Sequence, residues 1–167
     1  MSVAISQLRV LVDEQSLIDK KPRVTIEGLY LSVSEDALSV VKLANGKVQI
    51  ERLTGGVIRF STSLTPIGAM GELRPSVGPN GAIRLELVSL RAAGLVPLPK
   101  SVVLHFAQRE VTMRGIRGVS FPGESIIEID PNEFLAFALA QQAPGVEVKL
   151  APLQALRAGE GVLELQI

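Results

Sequence analysis

The chain has no cysteine and no tryptophan, one tyrosine and one histidine. Without cysteine there are no disulfides, thiolate metal sites or cysteine nucleophiles, and composition leaves the redox compartment open. With His105 as the sole histidine, one copy cannot assemble a multi-histidine metal centre. A Ser-His-Asp triad would have to use it, yet "VVLHFAQ" around it carries no Gly-x-Ser-x-Gly elbow. A histidine of the core or of a groove edge is the simpler reading. Gly-x-x-x-x-Gly-Lys and Gly-x-Gly-x-x-Gly are also missing, and "GIRG" (115–118) is too short to stand for a phosphate loop. Seventeen basic side chains cancel seventeen acidic ones, so no charge excess is available to hold nucleic acid. No apolar stretch approaches the ~20 residues needed to span a bilayer. "MSVAISQLRVLVDEQ" lacks the basic and apolar regions of a signal segment. As written the chain reads as cytoplasmic, although the mature form of an exported or membrane-associated protein would look the same. No enzyme chemistry, metal or cofactor is expected.

What is present is apolar and aliphatic: 47% hydrophobic residues against 4% aromatic. Val, Leu, Ile and Ala in such excess favour strands with a few apolar helices. A chain of 167 residues is expected to form one domain spanning 1–167. No linker, low-complexity tract or charge block divides it.

Alternation marks the strands. "SVAISQLRVLVDE" places Val3 and Ile5, then Leu8, Val10 and Val12, at apolar positions, and the phase slips near Ser6–Gln7 as at a bulge. "RVTIEGLYLSV" changes phase at Gly28, from Val24 and Ile26 to Leu29, Leu31 and Val33. "KVQIERL" and "GVIRFSTSL" flank a "TGG" hairpin turn (54–56). "IGAMGELRPSV" and "AIRLELVSL" flank "GPNG" (78–81), with Pro75 pointing to an edge or bulge. "GIRGVSF", "ESIIEID", "GVEVKL" and, after an "AGEG" turn, "GVLELQI" complete the set. Short connections predict antiparallel pairing of neighbours.

Three helices are expected. "SEDALSVVKLANG" opens on Ser34 as N-cap, with Glu35 and Asp36 in its first turn and Asn45–Gly46 as its stop. "PKSVVLHFAQREVTM" has Val102, Val103, Phe106, Glu110 and Met113 at helical spacing, although "SVVLHF" would also serve as a strand. "IDPNEFLAFALAQQ" has Asp130 as N-cap, Pro131 at the first position, Glu133 completing a box-like cap, and Ile129 with Phe134 as a hydrophobic staple. Pro144–Gly145 ends it. Its body is apolar nearly all round and raises the question of what covers it. "TIEGLYLSVSEDALSVV" and "SIIEIDPNEFLAFAL" share a strand, acidic cap and apolar helix, which ordinary β-to-α grammar explains more simply than duplication.

Two features lie outside this framework. Arg109, Arg114 and Arg117, near Arg91 and Lys100, could meet lipid headgroups at about 1 kcal/mol each, or form a solvated face. "GLVPLPK" (94–100) is an apolar loop that packs on the core, rims a groove or touches a bilayer.

The order of "VTIEGLYLSVSEDALSVVKL", "GGVIRF", "GELRPSVGPNGAIRLELVSL", "GLVPLP" and "IEIDPNEFLAFAL" resembles the bacterial LmeA-like phospholipid-binding family, which is similar to the tubular lipid-binding superfamily. The likeness covers roughly residues 20–150 and rests on element order and the proline loop. Members are typically exported or membrane-anchored, and this chain shows no signal segment. The resemblance implies an α+β fold in which a strongly curved, bulged antiparallel sheet wraps two or three apolar helices around an apolar groove. It implies non-enzymatic binding, or transfer, of phospholipid or another hydrophobic ligand, with peripheral membrane contact through Arg109, Arg114 and Arg117. The expected lining is Leu38, Val41, Phe60, Leu85, Leu87, Val103, Phe106, Phe134, Phe137 and Leu139. The competing expectation is a structural or protein-interaction module with a closed core, compatible with a homo-oligomer.

Overall fold

The computed structural model describes residues 2–40, 48–63, 68–92 and 95–167. The fold is α+β, with mostly antiparallel strands in two sheets and, among the described residues, four α-helices. The expected single sheet is therefore two. The first runs β1 (Val3–Val12), β2 (Arg23–Ser34), β12 (Val162–Gln166) and β11 (Ala155–Ala158). Twelve residues long, β2 carries two partners on the side away from β1: β12 along Tyr30–Ser34, and β10 (Glu147–Leu150) along Arg23–Ile26. The β10–β2 pairing is parallel, contrary to the antiparallel expectation, because α4 (Pro131–Gln142) and its return loop bring the chain back in the direction of β2. The second sheet runs β3 (Val48–Thr54), β4 (Val57–Thr62), β5 (Ala69–Val77), β6 (Ile83–Ala92), β9 (Ile126–Ile129) and β8 (Val119–Ser120), with β7 (Val96–Pro97) also on β6.

Both phase slips in the first hairpin are irregularities of pairing. Between the Ser6–Tyr30 and Arg9–Gly28 pairs β1 carries one extra residue, with Gln7 at φ 54°. Between Arg9–Gly28 and Val10–Ile26 β2 carries the compensating one, Glu27. The Glu27 carboxylate meets Arg9 at 3.3 Å. Register is thus restored, and the same face stays apolar along the whole hairpin. Gly55 and Gly56 supply the two positive-φ positions of the β3–β4 turn. In "GPNG" a short 3-10 turn covers Pro79–Gly81. A Cβ on Gly81 would stand 2.6 Å from the Leu153 nitrogen, so glycine lets this turn abut the chain between β10 and β11. Pro75 lies past the last β4–β5 pair, Ile58–Leu73, where its missing N–H breaks no bond to β4.

The helices differ from expectation in detail. A short α1 (Glu14–Ile18), capped by Asp13, was not legible as a helix. Ser34 caps α2 (Glu35–Ser39), whose expected continuation and Asn45–Gly46 stop fall outside the described residues. The ambiguous third segment is helix α3 (Lys100–Met113), burying Val103 and Leu104. His105 on α3 is exposed rather than a core residue, and its ring meets Phe106 edge-on. At α4 the Asp130 carboxylate accepts from the N–H groups of Asn132 and Glu133 at 2.8 and 3.1 Å. The reciprocal half of the expected box is replaced: the Asp130 N–H donates to the Gly118 carbonyl at 2.7 Å, so no role remains there for Glu133.

The main core comprises Ile50, Leu53, Ile58, Phe60, Leu87, Leu90, Val103 and Leu104, with Ala69 and Ala158. A smaller one gathers Leu153, Leu156 and Ile167 under Leu29, Leu150, Leu163 and Leu165. The sheets are stitched together at Leu53. Its N–H donates to the Glu35 carboxylate at 2.7 Å, and its carbonyl accepts from the Gly161 N–H at 3.0 Å. Beside it Glu160 accepts from Gly55 N–H and Thr54 hydroxyl, and these bonds hold its carboxyl below the usual carboxylate range. Leu53→Ala leaves a cavity at the stitch and is expected to lower unfolding stability by about 3 kcal/mol in urea titration. A depressed folded-state pKa contributes stability above the unfolded value, and that contribution is lost as pH falls through the folded one. The thermal midpoint of wild type should therefore exceed that of Glu160→Gln above pH 4.5, with the gap closing in more acidic buffer.

Candidate functional site

Residues directly opposite each other in a ladder project to the same face of the sheet. The pairing therefore defines four rows across the first sheet: Val3–Val33–Leu163, Ile5–Leu31–Leu165, Val10–Ile26–Leu150 and Val12–Val24–Val148. Every side chain in these rows is aliphatic. Leu163, Leu165 and Leu150 pack on the smaller core, which identifies this as the inner face. The opposite face carries Tyr30 hydrogen-bonded to Glu164, and Arg23 paired with Glu147 at 3.1 Å. The Glu164 acceptor raises the Tyr30 pKa by holding its proton. One side is thus dressed for water and the other for burial.

The inner face is not buried along β1. Val3 is 56% exposed, Ile5 60%, Val10 41% and Val12 47%. Three of the rows begin at residues packed on the smaller core, and all four end in the open along β1. Leu17 and Ile18 of α1 are exposed at the same end of the hairpin.

The apolar helix lies at the far edge of β10. No residue of α4 is buried, although seven consecutive apolar side chains run from Phe134 to Ala140. It lies along β10, tied there by Asn132. The Asn132 amide donates to the Leu150 carbonyl at 3.1 Å, and its oxygen accepts from the Leu150 N–H at 2.7 Å, so one side chain mimics a strand at the edge of β10. Grooves run along both flanks. One, of about 790 Å³, joins Ala136 and Ala140 to Val24, Val146 and Val148, with Lys21, Lys149, Glu133 and the Arg23–Glu147 pair at its border. The other, of about 660 Å³, joins Ala136, Phe137 and Ala140 to Arg117 and Gly115. Val24 and Val148 belong both to the first groove and to the row that ends at Val12.

The expected lining residues fall into separate groups. Phe60, Leu87 and Val103 are closed within the main core, and Leu38 packs against it. The Phe60 ring is roofed by Gly71, where a Cβ would stand 2.7 Å from it. Leu85 is half-buried between Pro75 and Ile127, and Phe106 is half-buried on α3. Phe134, Phe137 and Leu139 lie on α4, with Phe137 in the second groove. Val41 lies outside the described residues. Of the three arginines, Arg117 shares that groove with Phe137, Arg114 pairs with Glu110 at 3.0 Å, and Arg109 is an exposed residue of α3. In the proline loop Leu95 and Val96 are exposed, while Leu98 packs on the core. The β1 row went unassigned in sequence because its alternation looks the same whether its face is covered or not.

Among the described residues no cluster of three or more His, Asp or Glu is placed to hold a metal ion, and no helix is long and apolar enough to cross a membrane. The chain matches no family model, and no curated protein or solved structure is detectably similar to it.

Asn132→Ala strands two backbone groups of β10 and is expected to cost about 2 kcal/mol. Hydrogen exchange should show the Leu150 amide losing protection first; unchanged protection there would mean that α4 is anchored by other contacts.

Proposed function

We propose that this domain binds a hydrophobic ligand of phospholipid type without acting on it chemically, and that the ligand's chains lie along the uncovered aliphatic face between β1 and α4. The observation that carries the reading is the set of four rows whose outer ends are roughly half exposed on an otherwise inward-facing surface. A contiguous apolar surface is costly in water, at about 25 cal/mol per Å² left uncovered. The grooves flanking α4 are of ligand size and apolar along the helix. The groove edges carry Lys21, Arg23 and Lys149 on one flank and Arg117 on the other, beside the carboxylates of Glu133 and Glu147, a mixture that suits a headgroup bearing a phosphate. In this reading the paired irregularities at Gln7 and Glu27 curl the hairpin toward α4, since bulges add local bend and twist. The resemblance to LmeA-like phospholipid-binding proteins points the same way.

Lipid extraction and mass analysis of the protein purified from its host should return a phospholipid or fatty acid. Delipidated protein should then take up a fluorescent phospholipid. Phe137→Asp, at a half-buried groove position, should reduce that uptake at least tenfold while leaving the circular dichroism spectrum intact. Arg117→Glu should weaken binding to vesicles containing phosphatidylglycerol more than to phosphatidylcholine vesicles. Delipidated, folded protein that takes up neither probe would remove the lipid reading.

A further inference from the structure

The outer margin of β1 presents its backbone to solvent over ten residues, and its two halves are complementary to each other. Among the described residues only β2 pairs with β1. The direction of the remaining backbone groups follows from the bonds at its ends. The Ser2 carbonyl accepts from Ser34 N–H at 3.0 Å, and Asp13 N–H donates to the Arg23 carbonyl at 3.1 Å, so both residues face β2. Groups alternate along an antiparallel strand. Val3 and Ile5 in one half, and Val10 and Val12 in the other, therefore direct their N–H and C=O outward. The extra residue near Gln7 shifts the outward set from odd to even positions.

That shift sets the register in which β1 can pair with itself. Across a two-fold axis the outward residues of one half must meet those of the other. The register centred between Gln7 and Leu8 does this along the full strand. It sets Val3 opposite the second copy's Val12, Ile5 opposite its Val10, Ala4 opposite Leu11 and Ser6 opposite Arg9. Residues 3–12 map onto themselves with nothing left over. Four β-branched pairs form on the inner face, the kind of cross-strand pair that stabilises sheets. The only charge, Arg9, meets serine, so no like charges are opposed. Of the devices that normally protect an edge, β1 has no proline, no lysine and no inward-pointing charge; the one it carries, the bulge at Gln7, falls at the centre of this register.

We infer that β1 is a homodimerisation edge, pairing antiparallel with the β1 of a second copy to make one continuous sheet across the two-fold. The inference rests on edge geometry alone and holds whether or not the inner face carries lipid. Ten residues a side is fewer than the roughly 20–30 of a standard interface, so the dimer is expected to be reversible, with dissociation on the order of 1–100 μM.

The test uses the full, delipidated chain. Sedimentation equilibrium should show the mass rising with concentration from 17.8 kDa toward twice that value. Val12→Pro removes an outward N–H that has no partner among the described residues, and should remain monomeric with an unchanged thermal midpoint. The absence of native cysteine allows a register test. Ala4 and Leu11 are set as a non-hydrogen-bonded pair, with Cα atoms about 4.5 Å apart, within disulfide range. An equimolar mixture of Ala4→Cys and Leu11→Cys proteins should cross-link on oxidation, whereas each alone and a mixture of Ser6→Cys with Leu11→Cys should not. A monomer up to about 1 mM, or cross-linking indifferent to register, would overturn the inference. Because no lipid is present, neither outcome touches the lipid reading.

Discussion

The structure depends on one stitch between its two sheets. Leu53 is 1% exposed, and both of its backbone polar groups bond outside its own sheet, to the Glu35 carboxylate and the Gly161 amide. Buried peptide groups must be paired, and here the pairing itself joins the two layers. Thr54 and Gly55 extend the joint to Glu160, while Leu53's side chain sits in the main core. Hydrogen bonding and burial are satisfied at the same residue, so this end of the molecule closes tightly.

Closure on that side leaves the other side open. In the order β1, β2, β12, β11, it is β11 that lies against β5, and β1 is the margin farthest along the sheet. Apolar rows that start at Leu163, Leu165 and Leu150 run past the end of what lies under them. On the edge of β10, α4 is held by a side-chain amide rather than by burial of its own apolar residues. A greasy helix and a greasy sheet margin thus both remain accessible, and they share Val24 and Val148 as common ground. The proposed ligand chains and the proposed second copy would address different parts of this exposure. The first would cover the face of β1, and the second would satisfy its backbone edge.

Much of the local structure was legible from short-range chemistry. Asp130–Pro131 and Ser34 marked helix starts, and the glycines at 55 and 56 marked a turn. The slip near Gln7 and the break at Gly28 revealed irregularities that the pairing resolves into one extra residue on each strand. These features depend on a residue and its near neighbours, and backbone sterics or capping bonds decide them wherever they occur. The parallel β10–β2 pair was not legible, nor was the substitution of Gly118 for Glu133 at the α4 cap, because each depends on which distant segment arrives.

The candidate site divides the same way. The residues themselves told that the chain is rich in aliphatic side chains, contains no cysteine, and alternates with period two along β1. They could not tell that Phe60, Leu87 and Val103 lie in a closed core while Val3, Ile5, Val10 and Val12 lie in the open. Hydrophobicity states only that a side chain is better out of water. Whether another layer reaches far enough to cover it is a property of how sheets are stacked and how wide each one is, and those are settled between residues more than a hundred positions apart.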